Sequence, residues 1–217
     1  MFRKALAGVA AAATLAVPLA LAAPAQASQT TILDVVSSVD RFTSTERNGL
    51  DVFRWDQRNW YDFDILTAAV AANTTKIPGT DATLLDAVQS PSTAVTLFAP
   101  NDRAFQLLAF NLTGRWYATE AGVLKGIVEA VGTGDVLGSV LLYHVVGGKV
   151  VKADVPLKTD IPTLNGQTFQ VDVTSFGTLR IEDANDGFRD ASIIRTDIDA
   201  GNSVIHSVSR VIMPSLG

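Results

Sequence analysis

The sequence has 217 residues, with 17 basic and 22 acidic side chains, a net charge of −5 and no cysteine. This acidic balance argues against a nucleic-acid-binding protein, which would cluster Lys and Arg, and against a protein drawn to anionic membranes. The absence of cysteine excludes disulfides, thiol catalysis, cysteine-ligated zinc and iron–sulfur clusters.

Residues 1–27 are typical of a secretory signal peptide. Arg3 and Lys4 precede an apolar stretch from Ala5 to Ala22, and Ala25-Gln26-Ala27 is a small-x-small cleavage site. An uncleaved anchor is the alternative, because the apolar stretch is close to the length that spans a bilayer. The alanine content and the cleavage site favour cleavage.

Cleavage after residue 27 would leave 190 residues with 15 basic and 22 acidic side chains, a net charge of −7. No second apolar run of spanning length follows, so we expect no transmembrane anchor after cleavage. The expected location is extracellular or in a bacterial cell envelope. We divide the chain into the signal peptide 1–27, an N-terminal arm 28–60 and one domain, 61–217, long enough to bury a sizeable core.

Helical spacing of apolar residues dominates the first half of the mature chain. A short amphipathic helix is indicated near Ile32–Val39. Asp64, Asn101 or Asp102, and Thr119 with Glu120 are candidate helix starts. The predicted helices after the arm span residues 65–72, 84–89, about 102–112, about 120–131 and 136–143.

An aromatic segment, Trp55 to Asp64, alternates rings with charged residues. It could be an exposed platform for a ligand, or an arm that packs its rings onto the domain. The second interpretation is favoured, because large rings are mostly buried.

Strand patterns dominate after His144. Asn165-Gly166, between apolar segments, predicts a hairpin. The predicted strands lie at 95–99, 145–151, 168–173, 179–182, 191–198 and 203–213. Because helices and strands are segregated along the chain, the fold class is α+β rather than alternating βαβ.

The sequence offers few catalytic candidates. His144 and His206 are the two histidines, and each lies in an apolar context typical of a hydrogen-bonded core residue. Neither a Gly-x-Ser-x-Gly elbow nor a glycine-rich phosphate loop is present. Glu182–Asp190 is acidic, but Gly187 falls where a calcium loop needs a ligand, so Asn185-Asp186-Gly187 is interpreted as a turn. We predict no enzyme activity, no metal and no cofactor.

Four segments resemble the fasciclin (FAS1) domain family. They are Thr96–Phe105 (Thr-Leu-Phe-Ala-Pro-Asn-Asp-Arg-Ala-Phe), Leu142–Val146 (Leu-Tyr-His-Val-Val), Thr163–Gln167 and Asn202–Pro214. The match spans roughly Phe63 to Pro214. Such boxes are specific for a fold rather than for a function.

The resemblance has departures. Gly147-Gly148 stands where the family often has Pro-Gly, Ser203 where it usually has Gly, and Ser209 where it usually has Asp. The missing Asp puts any interaction of that residue in doubt. The segments 73–83 and 112–134 are longer than in minimal family domains, and such insertions are where a lineage-specific function would lie.

The resemblance implies a wedge-like β-sandwich flanked by helices mostly from the N-terminal half, and a secreted non-enzymatic adhesion or interaction module. It also implies Tyr143 and His144 as binding residues, with a surface protein or polysaccharide as partner. A carrier of an apolar lipid or pigment is the alternative, which predicts a cavity of several hundred Å³ lined by Leu, Phe and Trp116 or Tyr117. A hydrolase, a third hypothesis, would need His144 or His206 beside an acid and a nucleophile.

Overall fold

The computed structural model of the protein describes residues 30–45, 60–132 and 135–215. The signal peptide and most of the aromatic segment before Trp60 lie outside these residues. Within them, Phe63 is buried and Tyr61 is 75% exposed, so the end of the aromatic segment both packs onto the domain and faces solvent.

Six α-helices occur in the described residues, and each agrees with a helix that the sequence predicts. They are α1 Ile32–Thr45, α2 Asp64–Ala72, α3 Leu84–Gln89, α4 Asp102–Thr113, α5 Glu120–Val131 and α6 Asp135–Tyr143.

Side-chain caps fix most of the helix starts. Asn101 Oδ1 accepts a hydrogen bond from Ala104 N at 3.0 Å, so Asn101 rather than Asp102 caps α4. Thr119 caps α5 in the same way through Gly122 N. The prediction that Asp64 caps α2 is wrong: Phe63 occupies the N-cap position, and Asp64 lies in the first turn, where its charge favours the helix dipole.

Seven strands form one mixed sheet in the described chain. They are β1 Val95–Pro100, β2 Val145–Gly147, β3 Ile161–Pro162, β4 Thr168–Val173, β5 Leu179–Glu182, β6 Ala191–Ala200 and β7 Ser203–Val208, in the order β2-β1-β7-β6-β5-β4-β3. β1 and β7 pair in parallel, with Phe98 opposite His206, and the other neighbours are antiparallel.

The two edges of the sheet approach each other. Val146 of β2 bridges to Thr163 beyond β3, and Leu164 N donates to Val145 O at 2.8 Å. The sheet is therefore nearly barrel-shaped. The α+β class is confirmed, whereas the wedge-like sandwich is not, because the strands form a single curled sheet.

Two predicted strands are shorter in the structure. β2 ends at Gly147, since Gly148 has φ +85° and turns the chain. β7 ends at Val208, although Val211, Ile212 and Met213 beyond it remain buried. The hairpin at Asn165-Gly166 is confirmed, with φ +87° at Gly166, a conformation that glycine adopts without strain.

The curled sheet separates two apolar cores. Alternate residues of β1 point to opposite sides, so Leu97 and Ala99 join the helices while Phe98 enters the inner core. The inner core also includes Tyr143, Phe169, Val171, Ile181 and Ile212. Helix α1 contributes Ile32 and Val36 to the helical side, so this part of the predicted arm is built into the domain.

No single described helix is long and apolar enough to cross a membrane. The segments Glu120–Val131 and Val136–Tyr143 meet the criteria of length and composition only as a pair, and the pair is bent by 115°.

Candidate functional site

His144 is a structural residue at the junction of α6 and β2. It is 1% exposed. Its Nδ1 lies 2.7 Å from Val140 O, and its Nε2 accepts a hydrogen bond from Ile212 N at 3.0 Å, which fixes the neutral tautomer with the proton on Nδ1. Burial lowers the pKa of His144 to about 4, so the ring is uncharged at neutral pH.

Tyr143 anchors the same junction to the other end of the sheet. Its hydroxyl donates to Thr168 O at 2.7 Å and accepts from Ala184 N at 3.2 Å. Burial raises the pKa of Tyr143 to about 12. The side chain is fully buried, so Tyr143 and His144 hold the fold together and present no surface to a partner. Their binding role stays a prediction.

His206 is also buried and bonded to backbone groups. Its Nδ1 accepts from Asp197 N at 3.2 Å, and its Nε2 donates to Val150 O at 2.9 Å. A hydrolase would need one of the two histidines beside a nucleophile in a cleft. Because both imidazoles are committed to backbone partners, the histidine-dependent hydrolase hypothesis is wrong.

Ser203 and Ser209 replace the usual family residues and make bonds of their own. Ser203 Oγ accepts from Val95 N at 3.2 Å and donates to Thr93 O at 3.1 Å, which ties β7 to the segment that enters β1. Ser209 Oγ accepts from Ser192 N at 2.9 Å. These hydrogen bonds explain how the segment Asn202–Pro214 keeps its fold although Ser203 and Ser209 replace the usual Gly and Asp of the family.

An aromatic stack lies on the exposed side of α4. The rings of Phe110 and Trp116 are parallel within 17°, with centroids 4.5 Å apart, and the guanidinium carbon of Arg103 lies 5.1 Å from the Trp116 centroid. Trp116 is nevertheless 53% exposed. We call Arg103, Leu107, Phe110, Asn111 and Trp116 the α4 face.

The loop that carries Trp116 is fixed from beneath. Gln106 accepts a hydrogen bond from Arg103 and donates through Nε2 to Tyr117 O at 3.0 Å. The Tyr117 ring lies so close to Gly126 of α5 that a Cβ there would stand 2.4 Å from Tyr117 Cζ. The stack is therefore held in one position rather than on a free loop.

Arginines surround the α4 face. Arg189 and Arg210 line a shallow groove with Leu107 and Asn111, and Arg115 directly precedes Trp116. In the part of the chain that the structure describes, no ion pair includes Arg103, Arg115, Arg189 or Arg210. Within the described residues, this surface therefore carries positive charge that no ion pair neutralises.

A buried acidic cluster lies at the other side of the α4 N-terminus. Carboxylate oxygens of Asp62, Asp102 and Glu120 lie within 4.8 Å of one another. Asp102 Oδ1 accepts from Ile65 N at 3.0 Å, and Asp102 N donates to Asp62 O at 3.0 Å. Asp102 is fully buried. This cluster joins the starts of α4 and α5 to the segment before α2.

Burial, then a hydrogen bond with Asp62 and the charges of Asp62 and Glu120, raises the pKa of Asp102 to about 9. Asp102 therefore holds a proton at neutral pH. Three carboxylates at this spacing are also a donor set that a hard divalent cation accepts. The raised pKa of Asp102 favours a proton in this cluster, and a proton needs no dehydration of a cation.

Comparison with known protein families agrees with the four segments that resemble the fasciclin family. The family model described as the fasciclin domain matches residues 71–214. The chain belongs to the fasciclin domain family. An uncharacterized protein of Synechocystis sp., sll1735, is 31% identical over 151 residues, which is 69% of this chain and 86% of that protein. A second Synechocystis protein, sll1483, is 30% identical over 154 residues, 71% of this chain and 68% of that one.

A solved FAS1 domain pair from the insect cell adhesion molecule fasciclin I also matches. The likeness covers 61% of this chain and 42% of that chain, with 16% sequence identity and a TM-score of 0.43. The match therefore covers less than half of the insect chain.

The carrier alternative predicts a large apolar cavity in this fasciclin domain. The apolar cavity between α1, α2, α3 and the sheet has a volume of about 10 Å³, and neither Trp116 nor Tyr117 lines it. That is room for about one water, against the roughly 300–1,000 Å³ of small-molecule sites. This cavity gives the carrier alternative no support.

The turn interpretation of Asn185-Asp186-Gly187 agrees with the structure. Asn185 Oδ1 accepts from Gly187 N at 3.0 Å, and Asp183 accepts from both Asn185 N and Met213 N. These carboxylate and amide oxygens stabilise the β5–β6 connection.

The sequence alone did not predict the acidic cluster or the group of arginines around the α4 face. Asp102 and Glu120 carried a local signal, since acidic residues are common at helix starts, but that signal explains each residue separately. Arg189 and Arg210 reach the α4 face from distant segments, which no local pattern reveals.

Proposed function

We propose that this protein is a secreted, non-enzymatic adhesion or interaction module that contacts its partner through the α4 face. Membership of the fasciclin domain family indicates an adhesion or interaction module. The observation that carries the choice of surface is the Phe110–Trp116 stack, in which Trp116 is 53% exposed. Large aromatic side chains that remain exposed and rigid are typical of interaction sites.

Export is part of the same proposal. It is supported by the layout of residues 1–27, with two basic residues, an apolar stretch and a small-x-small site. Fractionation of the producing organism, followed by N-terminal sequencing of the exported protein, should give a chain that starts at Ser28. A protein that remains in the cytoplasm with an intact N-terminus would contradict this part.

The surface can be tested by binding of the mature protein, residues 28–217, to isolated cell envelopes of the producing organism. Trp116→Ala should weaken binding by about tenfold, which corresponds to about 1.4 kcal/mol. Phe176→Ala is the matched control, because Phe176 is 95% exposed on the β4–β5 turn and is not part of the α4 face. Equal binding of the two variants would show that the α4 face is not the contact surface.

A further inference from the structure

The α4 face has an unusual charge for this protein. The mature chain would carry a net charge of −7, yet Arg103, Arg115, Arg189 and Arg210 gather around one exposed helix without a carboxylate partner among the described residues. Arg180 on β5, by contrast, is paired with both Glu182 and Asp190. Positive charge that is left unpaired on one face is complementary to an anionic partner.

The neighbouring acidic groups do not cancel this charge. Asp190 follows Arg189 in sequence, but its Oδ2 lies 3.6 Å from Arg180 Nε. Glu120 lies in the cluster with Asp62 and Asp102. Guanidinium groups present parallel N–H donors that match the oxygens of a carboxylate or another oxyanion, and such charge-assisted pairs are the stronger hydrogen bonds of proteins.

The aromatic part of the face adds a flat apolar surface beside the arginines. Phe110 stacks on Trp116 and the Arg103 guanidinium also lies over the indole, yet Trp116 is 53% exposed, which leaves part of the indole surface accessible to a ligand. The C–H groups on one side of a pyranose ring pack well on such a ring. A groove lined by Leu107, Asn111, Arg189 and Arg210 continues along the same helix. The twelve residues of α4 extend over about 18 Å, so the face suits a polymer rather than a single sugar.

We propose that the α4 face binds an anionic polysaccharide, with a sugar ring packed on Trp116 and acidic groups of the polymer paired with Arg103, Arg189 and Arg210. This inference rests on the proposed function and specifies its partner. An acidic peptide is less well matched, because peptides are usually held along a sheet edge or in a deep helix groove, whereas the α4 face is a shallow surface on a helix.

The test uses the mature chain and immobilised alginate, a polyuronate, as the probe, with neutral dextran and polyglutamate in parallel. The wild type should bind alginate, bind dextran far more weakly, and lose affinity as salt is raised. Trp116→Ala and the double variant Arg189→Gln/Arg210→Gln should each weaken alginate binding by about tenfold. Thermal unfolding of each variant checks that the fold is retained.

The charge control is the double variant Lys76→Gln/Lys125→Gln. It also removes two positive charges, but from exposed side chains outside the α4 face. It should change alginate binding by less than about twofold, since these charges lie outside the face. Equal loss in both double variants would overturn the proposal in favour of unspecific charge attraction. Equal binding of polyglutamate, or an unchanged affinity in Trp116→Ala, would also overturn it.

The two proposals fail in different ways. If envelopes bind through Trp116 but alginate does not bind, the polysaccharide inference is wrong and the interaction surface stands. If neither envelopes nor alginate binds to the wild type, the proposed function itself is wrong.

Discussion

Replacement of Asp102 by asparagine tests the buried acidic cluster, because it removes an ionisable group and retains its shape. Asp102 is fully buried, and its Oδ1 accepts a hydrogen bond from Ile65 N at 3.0 Å. Asparagine keeps this acceptor and supplies N–H donors toward Asp62, which hydrogen-bonds with the Asp102 side chain. The substitution therefore deletes one titration with little change in packing.

The size of the effect follows from the pKa of Asp102, which burial and Asp62 raise from 3.8 to about 9. In the unfolded chain the carboxyl group loses its proton near pH 4, whereas the folded protein keeps the proton to about pH 9. The contribution of Asp102 to stability is therefore fully present below pH 3.8 and is lost as the pH rises toward 9. Each pH unit in this window costs about 1.4 kcal/mol, or about 4 kcal/mol between pH 3.8 and 7.

That cost is large beside the roughly 5–15 kcal/mol that stabilise a typical domain. We expect the free energy of unfolding of Asp102→Asn, relative to that of the wild type, to rise by about 4 kcal/mol between pH 5.5 and pH 8.5. The assay is urea unfolding at both pH values, followed by tryptophan fluorescence. Subtracting the wild-type value from the variant value at each pH cancels the titrations that both proteins share.

Asp81→Asn is the control, because the Asp81 side chain is fully exposed beside Lys76. It gives the baseline for an Asp-to-Asn replacement outside the cluster. A variant–wild-type difference in Asp102→Asn that is flat with pH, or that falls as the pH rises, would refute the shared-proton explanation. Stabilisation of the wild type by Ca²⁺ at pH 8, absent in Asp102→Asn, would show that the cluster binds a cation instead.

Three further predictions concern buried contacts. Because burial lowers the pKa of His144 from 6.5 to about 4, stability should fall by up to about 3 kcal/mol as the pH drops from 6.5 to 4, and urea titrations of His144→Asn should lack this slope. Gly138→Ala would place its Cβ 2.4 Å from Thr75 Cβ, so it should lower the free energy of unfolding by about 1–3 kcal/mol, and adding Thr75→Gly should recover part of that loss. Ser203→Ala removes the acceptor of buried Val95 N and should cost about 1–3 kcal/mol by chemical unfolding, whereas no loss would contradict the bond.

Local chemistry made much of the fold predictable. Thr83, Asn101 and Thr119 are short polar residues before apolar helical patterns, and each caps the expected helix. Asn165-Gly166 marked a turn because few residues tolerate the left-handed backbone found at Gly166. These signals act within a few residues, so one sequence is enough to reveal them.

The rest depends on contacts between distant segments. The approach of Val146 to Thr163 closes the sheet, and no local period encodes which edges meet. The same is true of Asp62 and Asp102, whose carboxylate oxygens lie within 4.8 Å of each other although each residue lies in a different motif. The apolar neighbours of His144 in the sequence identify it as a core histidine. They do not reveal its hydrogen bond to Ile212, which lies 68 residues away.

The most direct test of the central claim is hydroxyl-radical footprinting of the mature protein with and without isolated cell envelopes. Trp116 is 53% exposed and Phe176 is 95% exposed, so both rings should be oxidised in the free protein. If the α4 face is the interaction surface, bound envelopes should protect Trp116 and leave the oxidation of Phe176 unchanged. Protection of Phe176 alone, or unchanged oxidation of Trp116 in the bound protein, would contradict the claim.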